Sequence, residues 1–181
     1  QEVRRRLLED AAKDYETLAE QKSEQPELRL EIARSLVRLG EVHRLLERFK
    51  DAEPAYNRAL DSLSKLNGED SGVQLELATC LNGLGLCWAN LAPMPEDGEE
   101  SEAVDSVAKA ESFFDRAAKA VDQALKADAG NVELRRMQAR IMANLGPLLA
   151  STKRQKDAFK YSLKAVELFE ALSRDPGEIV D

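Results

Sequence analysis

The chain of 181 residues is 43% hydrophobic, 33% charged and only 5% aromatic, with nine Gly and six Pro, which excludes a disordered or turn-rich all-β chain and favours a single helical domain. Thirty-four acidic residues against 26 Lys and Arg leave a net charge of −8, a sign that repels phosphate backbones and argues against nucleic acid as a partner. No apolar run reaches the ~20 residues of a membrane span and no basic-then-apolar leader opens the chain, so a cytoplasmic protein without a membrane role is expected, and Gln1 already inside a helical pattern suggests a piece of something longer.

In chain order, residues 2 to 23 carry Leu7, Leu8, Ala11, Tyr15 and Leu18 at helical spacing before Pro26 interrupts. A second helix, 27 to 47, aligns Ile32, Leu36, Leu39, His43 and Leu46 on one stripe. Asp51 is placed as the cap of a third helix with Pro54 in its first turn, and Asn67-Gly68 closes it. The fourth, 72 to 91, uses Leu77, Leu81, Leu84, Trp88 and Leu91. Residues 92 to 106 hold Pro93, Pro95 and a run of acids with no base, the composition of a solvated loop or of a flap over a basic groove. A fifth helix, 102 to 127, leads through the turn Asp128-Ala129-Gly130-Asn131 to a sixth, 131 to 152, which Pro147 is expected to kink. A seventh helix covers 154 to 173.

Internal similarity ties these helices together. Leu39-Gly40 recurs as Leu84-Gly85 and Leu145-Gly146. Small or aromatic residues then follow at offsets 12, 16 and 19: Ala52, Tyr56 and Ala59 after Gly40, and Ala158, Ser162 and Ala165 after Gly146. Ala110, Phe114 and Ala117 keep the same internal spacing after Gly85, displaced by 13 inserted residues. This pattern resembles the tetratricopeptide repeat in a long-helix form, since the equivalent Ala33 and Ala78 lie 45 residues apart. More narrowly, Glu27 to Leu60 resembles the repeats in the C-terminal tails of large bacterial serine/threonine kinases. The resemblance implies an all-α, right-handed superhelical array of about seven helices in antiparallel hairpins. It divides into a leading half-repeat (1–23), repeats over 27–66, 72–127 with the acidic insertion 92–106, and 131–173, and a tail (174–181).

In such arrays the first helix of each pair lines a concave groove, and a non-catalytic protein or peptide partner is the implied function. The register puts Arg34, Val37, Arg38, Glu41 and Arg44 there from helix two, Thr79, Asn82, Leu86 and Asn90 from helix four, and Arg136, Arg140, Ala143 and Asn144 from helix six. Five arginines in an acidic chain suggest an acidic segment as ligand, with Arg38 and Arg140 facing one groove; the competing reading pairs them with Glu27, Glu31, Glu41 and Glu133. The family's chaperone-tail clamp wants lysine and asparagine where this chain has Val37 and Glu41, so that specificity is not expected. A self-association face is the alternative, because Phe159, Leu163, Val166, Phe169 and Leu172 stripe the last helix with no following helix to cover them. His43 and Trp88 read as core rings. Cys80 and Cys87, seven residues apart on one helix, cannot pair. No catalytic constellation, cofactor motif or metal-ligand set is expected.

Overall fold

Seven helices form among the residues described by the computed structural model, 2–20, 25–91 and 100–174, with backbone alone for 100–103. They are α1 Glu2–Ala19, α2 Pro26–Leu45, α3 Phe49–Leu63, α4 Ser71–Leu91, α5 Glu100–Ala127, α6 Val132–Ser151 and α7 Gln155–Arg174, with no strand among the described residues. None of these helices is long and apolar enough to cross a membrane.

Several boundaries differ from the sequence expectation for local reasons. α3 starts at Phe49 behind Arg48, not behind Asp51, so Pro54 lies inside the helix and deletes the amide that would reach the Lys50 carbonyl. α5 begins at Glu100, two residues before the expected start at 102, so the end of the acidic insertion is helical; its remainder, 92–99, lies outside the described residues, as do 21–23 of the first expected helix and the tail beyond Arg174. α6 is capped as its sequence suggests, the Leu134 amide donating to Asn131 Oδ1 at 3.1 Å, and its helical assignment continues through Pro147.

The α2–α3 and α6–α7 turns are built alike. Glu47 and Lys153, each seven residues beyond its repeat glycine, adopt the left-handed backbone with φ of 59° and 62°. The Arg48 and Arg154 amides then reach back to the His43 and Leu149 carbonyls, at 2.9 and 3.0 Å, the pattern that satisfies the orphan acceptors of a helix end. A three-residue connection of this kind folds the next helix back against its predecessor. The equivalent arginines also tether outer helices: Arg48 binds Glu9 of α1 at 2.7 Å, and Arg154 binds Glu111 of α5 at 2.7 Å.

Close approach within each pair is made by the glycines. A Cβ at Gly40 would lie 2.7 Å from the Tyr56 ring, and one at Gly85 would lie 2.7 Å from the Phe114 ring; at Gly146 it would meet Ser162. These are the offset-16 partners proposed from the repeat, with the insertion accounted for. The flanking alanines Ala52, Ala59, Ala110, Ala117, Ala158 and Ala165 are buried. The core forms two clusters, one gathered from α1 to α4 around Leu36, Val37, Tyr56 and Leu84 and one from α4 to α6 around Leu81, Phe114, Leu134 and Ile141. α4, buried on both sides, serves both. Consecutive helices pack on one another, and α2 also packs on α4 and α4 on α6, whereas the described residues of α3 and α5, and of α5 and α7, bring no backbones into close contact.

Gly40→Ala tests this packing. Alanine gains up to ~1 kcal/mol of helix propensity, but its methyl meets a ring with no exposed surface to move into, and overpacking costs ~1 to 3 kcal/mol. We expect a net loss of about 1 to 2 kcal/mol in urea unfolding. Gly68→Ala, whose nearest neighbour is Gln74 Nε2 at 3.6 Å, should change stability by less than about 0.5 kcal/mol.

Candidate functional site

Adjacency of α2, α4 and α6 creates one face that all three share. On it a cleft of about 290 Å³ is lined by Glu41, Arg44, Thr79, Asn82, Leu86, Arg140 and Asn144, all expected there from the register, together with Tyr56 and Gly83. A second cleft of about 320 Å³ continues it, sharing Leu86 and Asn144 and adding the expected Asn90 and Ala143 beside Phe114, Pro147, Leu148 and Ser151. Asn144 Nδ2 donates to Asn82 Oδ1 across α4 and α6 at 2.8 Å. That bond leaves the Asn82 amide group with donors and the Asn144 carbonyl with acceptor capacity.

Four of the expected groove residues fall elsewhere. Val37 has no exposed surface and belongs to the core, so it touches no ligand. Arg34 is held by Glu31 at 2.6 Å and Glu76 at 3.3 Å, Arg38 by Glu41 at 2.7 Å, and Arg136 by Glu133, each pairing with a carboxylate three positions away as the ion-pair reading predicts. Arg38 therefore does not share the cleft with Arg140, contrary to expectation. Arg44 and Arg140 form no salt bridge among the described residues, and both line the cleft.

Two residues the sequence reading did not place in the site matter most. Tyr56 belongs to the outer helix α3 but is wholly buried, its ring passing between Gly40 and Gly83 so that its hydroxyl reaches the cleft wall. A Cβ at Gly83 would come within 2.6 Å of that oxygen. Neither the hydroxyl nor the buried Nε of Arg44 makes a hydrogen bond of good geometry, but the two side chains are neighbours: burial raises the Tyr56 pKa while the Arg44 charge and hydrogen bond draw it down. The available signal was Gly83-Leu84-Gly85, two helix glycines of which the repeat uses one, and a tyrosine where the other copies have Phe114 and Ser162.

The remaining chemistry is inert. Burial pushes the Cys80 thiol up and holds Cys87 up at about 12, so both free thiols stay protonated. His43 is half-buried, not a full core ring as expected, and its Nδ1 is unpartnered. Trp88 is also half-buried and carries the Lys109 ammonium 4.1 Å from its ring centroid. Phe159 (70% exposed), Leu163, Val166 and Phe169 stand in solvent along α7, but Leu172 turns inward and is 9% exposed, so it leaves the expected stripe. No protein-family model matches the chain, and no curated protein matches it significantly.

Glu76 beneath this face is buried, and desolvation raises its pKa although Arg38 and Arg34 pull it down. A carboxyl with a raised folded-state pKa binds its proton more tightly folded than unfolded; the resulting stability is present at acid pH and is lost as pH rises through the raised value. Glu76→Gln should therefore be as stable as the parent or more so at pH 7, with the advantage shrinking as pH falls from the raised value to the ordinary carboxylate range and constant below it. Thermal melts of both proteins from pH 3 to 7 measure it.

Proposed function

We propose that this chain is a non-catalytic interaction module built from tetratricopeptide-like hairpins in a superhelical stack, and that its α2, α4, α6 face receives a peptide or protein segment. The observation that carries this reading is the convergence of residues from three helices on two continuous clefts, at positions chosen from the repeat register alone. The Asn82–Asn144 pair offers a donor and an acceptor, the complement of one peptide group, and the second cleft offers apolar surface from Leu86, Phe114 and Leu148. Positional-scanning libraries of hexapeptides titrated against isotope-labelled protein should move the amide signals of Glu41, Thr79, Asn90 and Asn144 and leave those of Lys160 and Leu163 in place. Shifts confined to α7, or none, would refute the groove.

A second reading, self-association, is favoured by the four exposed apolar side chains on α7. If that face pairs two copies, sedimentation should report a dimer that Phe169→Glu converts to a folded monomer. A parent mass that stays monomeric at all concentrations rejects it.

A further inference from the structure

Two exposed rows of side chains, on helices that do not meet, match each other position by position. Among the described residues α1 brings its backbone close only to α2, and α7 only to α6. On α1 the exposed row is Val3, Leu7, Asp10 and Asp14; on α7 it is Lys156, Lys160, Leu163 and Glu167. Both run at spacings of four, three and four residues, which keeps side chains in one line along a helix. Their apolar members stand in solvent: Val3 is 74% exposed, Leu7 65% and Leu163 47%, with Phe159 and Val166 bordering the α7 row. The charges are underused as well. Lys156, Lys160 and Asp14 form no salt bridge among the described residues, and Asp10 has only the exposed Lys13 at 3.4 Å.

We infer that these rows form a contact between copies of this chain, in which α1 of one copy packs antiparallel on α7 of another. The inference rests on the self-association reading above and names the face that α7 takes. Setting Asp14 beside Lys156 also sets Asp10 beside Lys160 and Leu7 beside Leu163, because the two rows share one spacing. Val3 then lies on the stem of Glu167, whose carboxylate is held by Lys164 at 3.6 Å. The apolar pair excludes water, and the two ion pairs fix the register. Neither row complements itself in the same geometry: α7 on α7 sets Lys160 on Leu163, and α1 on α1 sets Asp10 on Leu7, a charge facing an apolar side chain each time. The match is therefore heterologous. Since α1 and α7 of one chain do not meet, each copy offers one of each row. Two copies joined at both rows close into a dimer, and a rotation that prevents this closure extends the contact into a ring or a filament.

Exchanging the charges tests the contact. Sedimentation equilibrium over a concentration series compares the parent, the double variant Asp10→Lys and Asp14→Lys, the double variant Lys156→Glu and Lys160→Glu, and an equimolar mixture of the two variants. The parent should associate. Each variant alone has like charges facing at every junction and should need at least about tenfold more protein to do so. The mixture should return to the parent's behaviour, because Lys156 and Lys160 of the first variant meet Asp10 and Asp14 of the second, and the reversed charges meet at the other junction. All four sites are exposed, and recovery on mixing is a result that unfolded variants cannot give. A parent that remains monomeric at every concentration overturns both this contact and the self-association reading. Association that survives the Asp10→Lys and Asp14→Lys pair overturns the α1 contact and leaves α7 paired with itself. Weakening of both variants with no recovery in the mixture overturns the register.

Discussion

The interaction on which the rest of the architecture depends is the contact between a helix backbone and a ring lying flat against it. Gly40 and Gly83 leave room for Tyr56, and Gly85 leaves room for Phe114. Each contact draws two helices nearer than side chains of ordinary size allow, and the alanines on either side extend the close approach along the crossing. From this follow the pairing of α2 with α3 and of α4 with α5, the placement of α4 in both halves of the core, and the alignment of α2, α4 and α6. The same contact conducts a polar atom from the outer helix layer to the inner face, because a ring squeezed between two glycines has only one direction left for its hydroxyl.

Much of this was legible in the residues themselves. Period and punctuation located seven helices, and the offsets from each Leu-Gly step identified the partners Tyr56, Phe114 and Ser162 even across an insertion. What the sequence concealed has definite physical causes. The turns at Glu47 and Lys153 use the left-handed backbone without glycine or asparagine, so composition gave no sign of them. Val37 satisfied the groove stripe in projection, yet the α2 face it occupies is covered by neighbouring helices. Which arginines were paired was only partly legible in spacing: Arg140 has no carboxylate three or four positions away, whereas Arg44 has Glu41 and Glu47 at that distance and forms a salt bridge with neither, Glu41 bending to Arg38 instead.

That sorting changes what the positive charge of the face means. Surface pairs such as Arg34 with Glu31 contribute little to stability, and their arginines are occupied already. The arginines that form no salt bridge among the described residues, Arg44 and Arg140, both line the first cleft, with Tyr56 beside Arg44. The carboxylates of the same face are offset by their own neighbours, Glu41 by Arg38 and Glu76 by Arg34.

The two helix layers also differ in how they would resist deformation. α2, α4 and α6 touch directly, while the outer layer is bridged by long-armed pairs, Arg48 to Glu9, Arg58 to Glu16 and Arg154 to Glu111. Flexing the molecule about its inner row would stretch these tethers together with the outer side chains, such as Leu60 and Tyr161, that reach into the core. The tethers' strength is electrostatic, and at contact distance, well inside the ~8 Å Debye length of physiological salt, it is only weakened by added salt. The long-armed pairs thus lie on the side away from the clefts, where a change in them alters the outer layer before it alters the inner face.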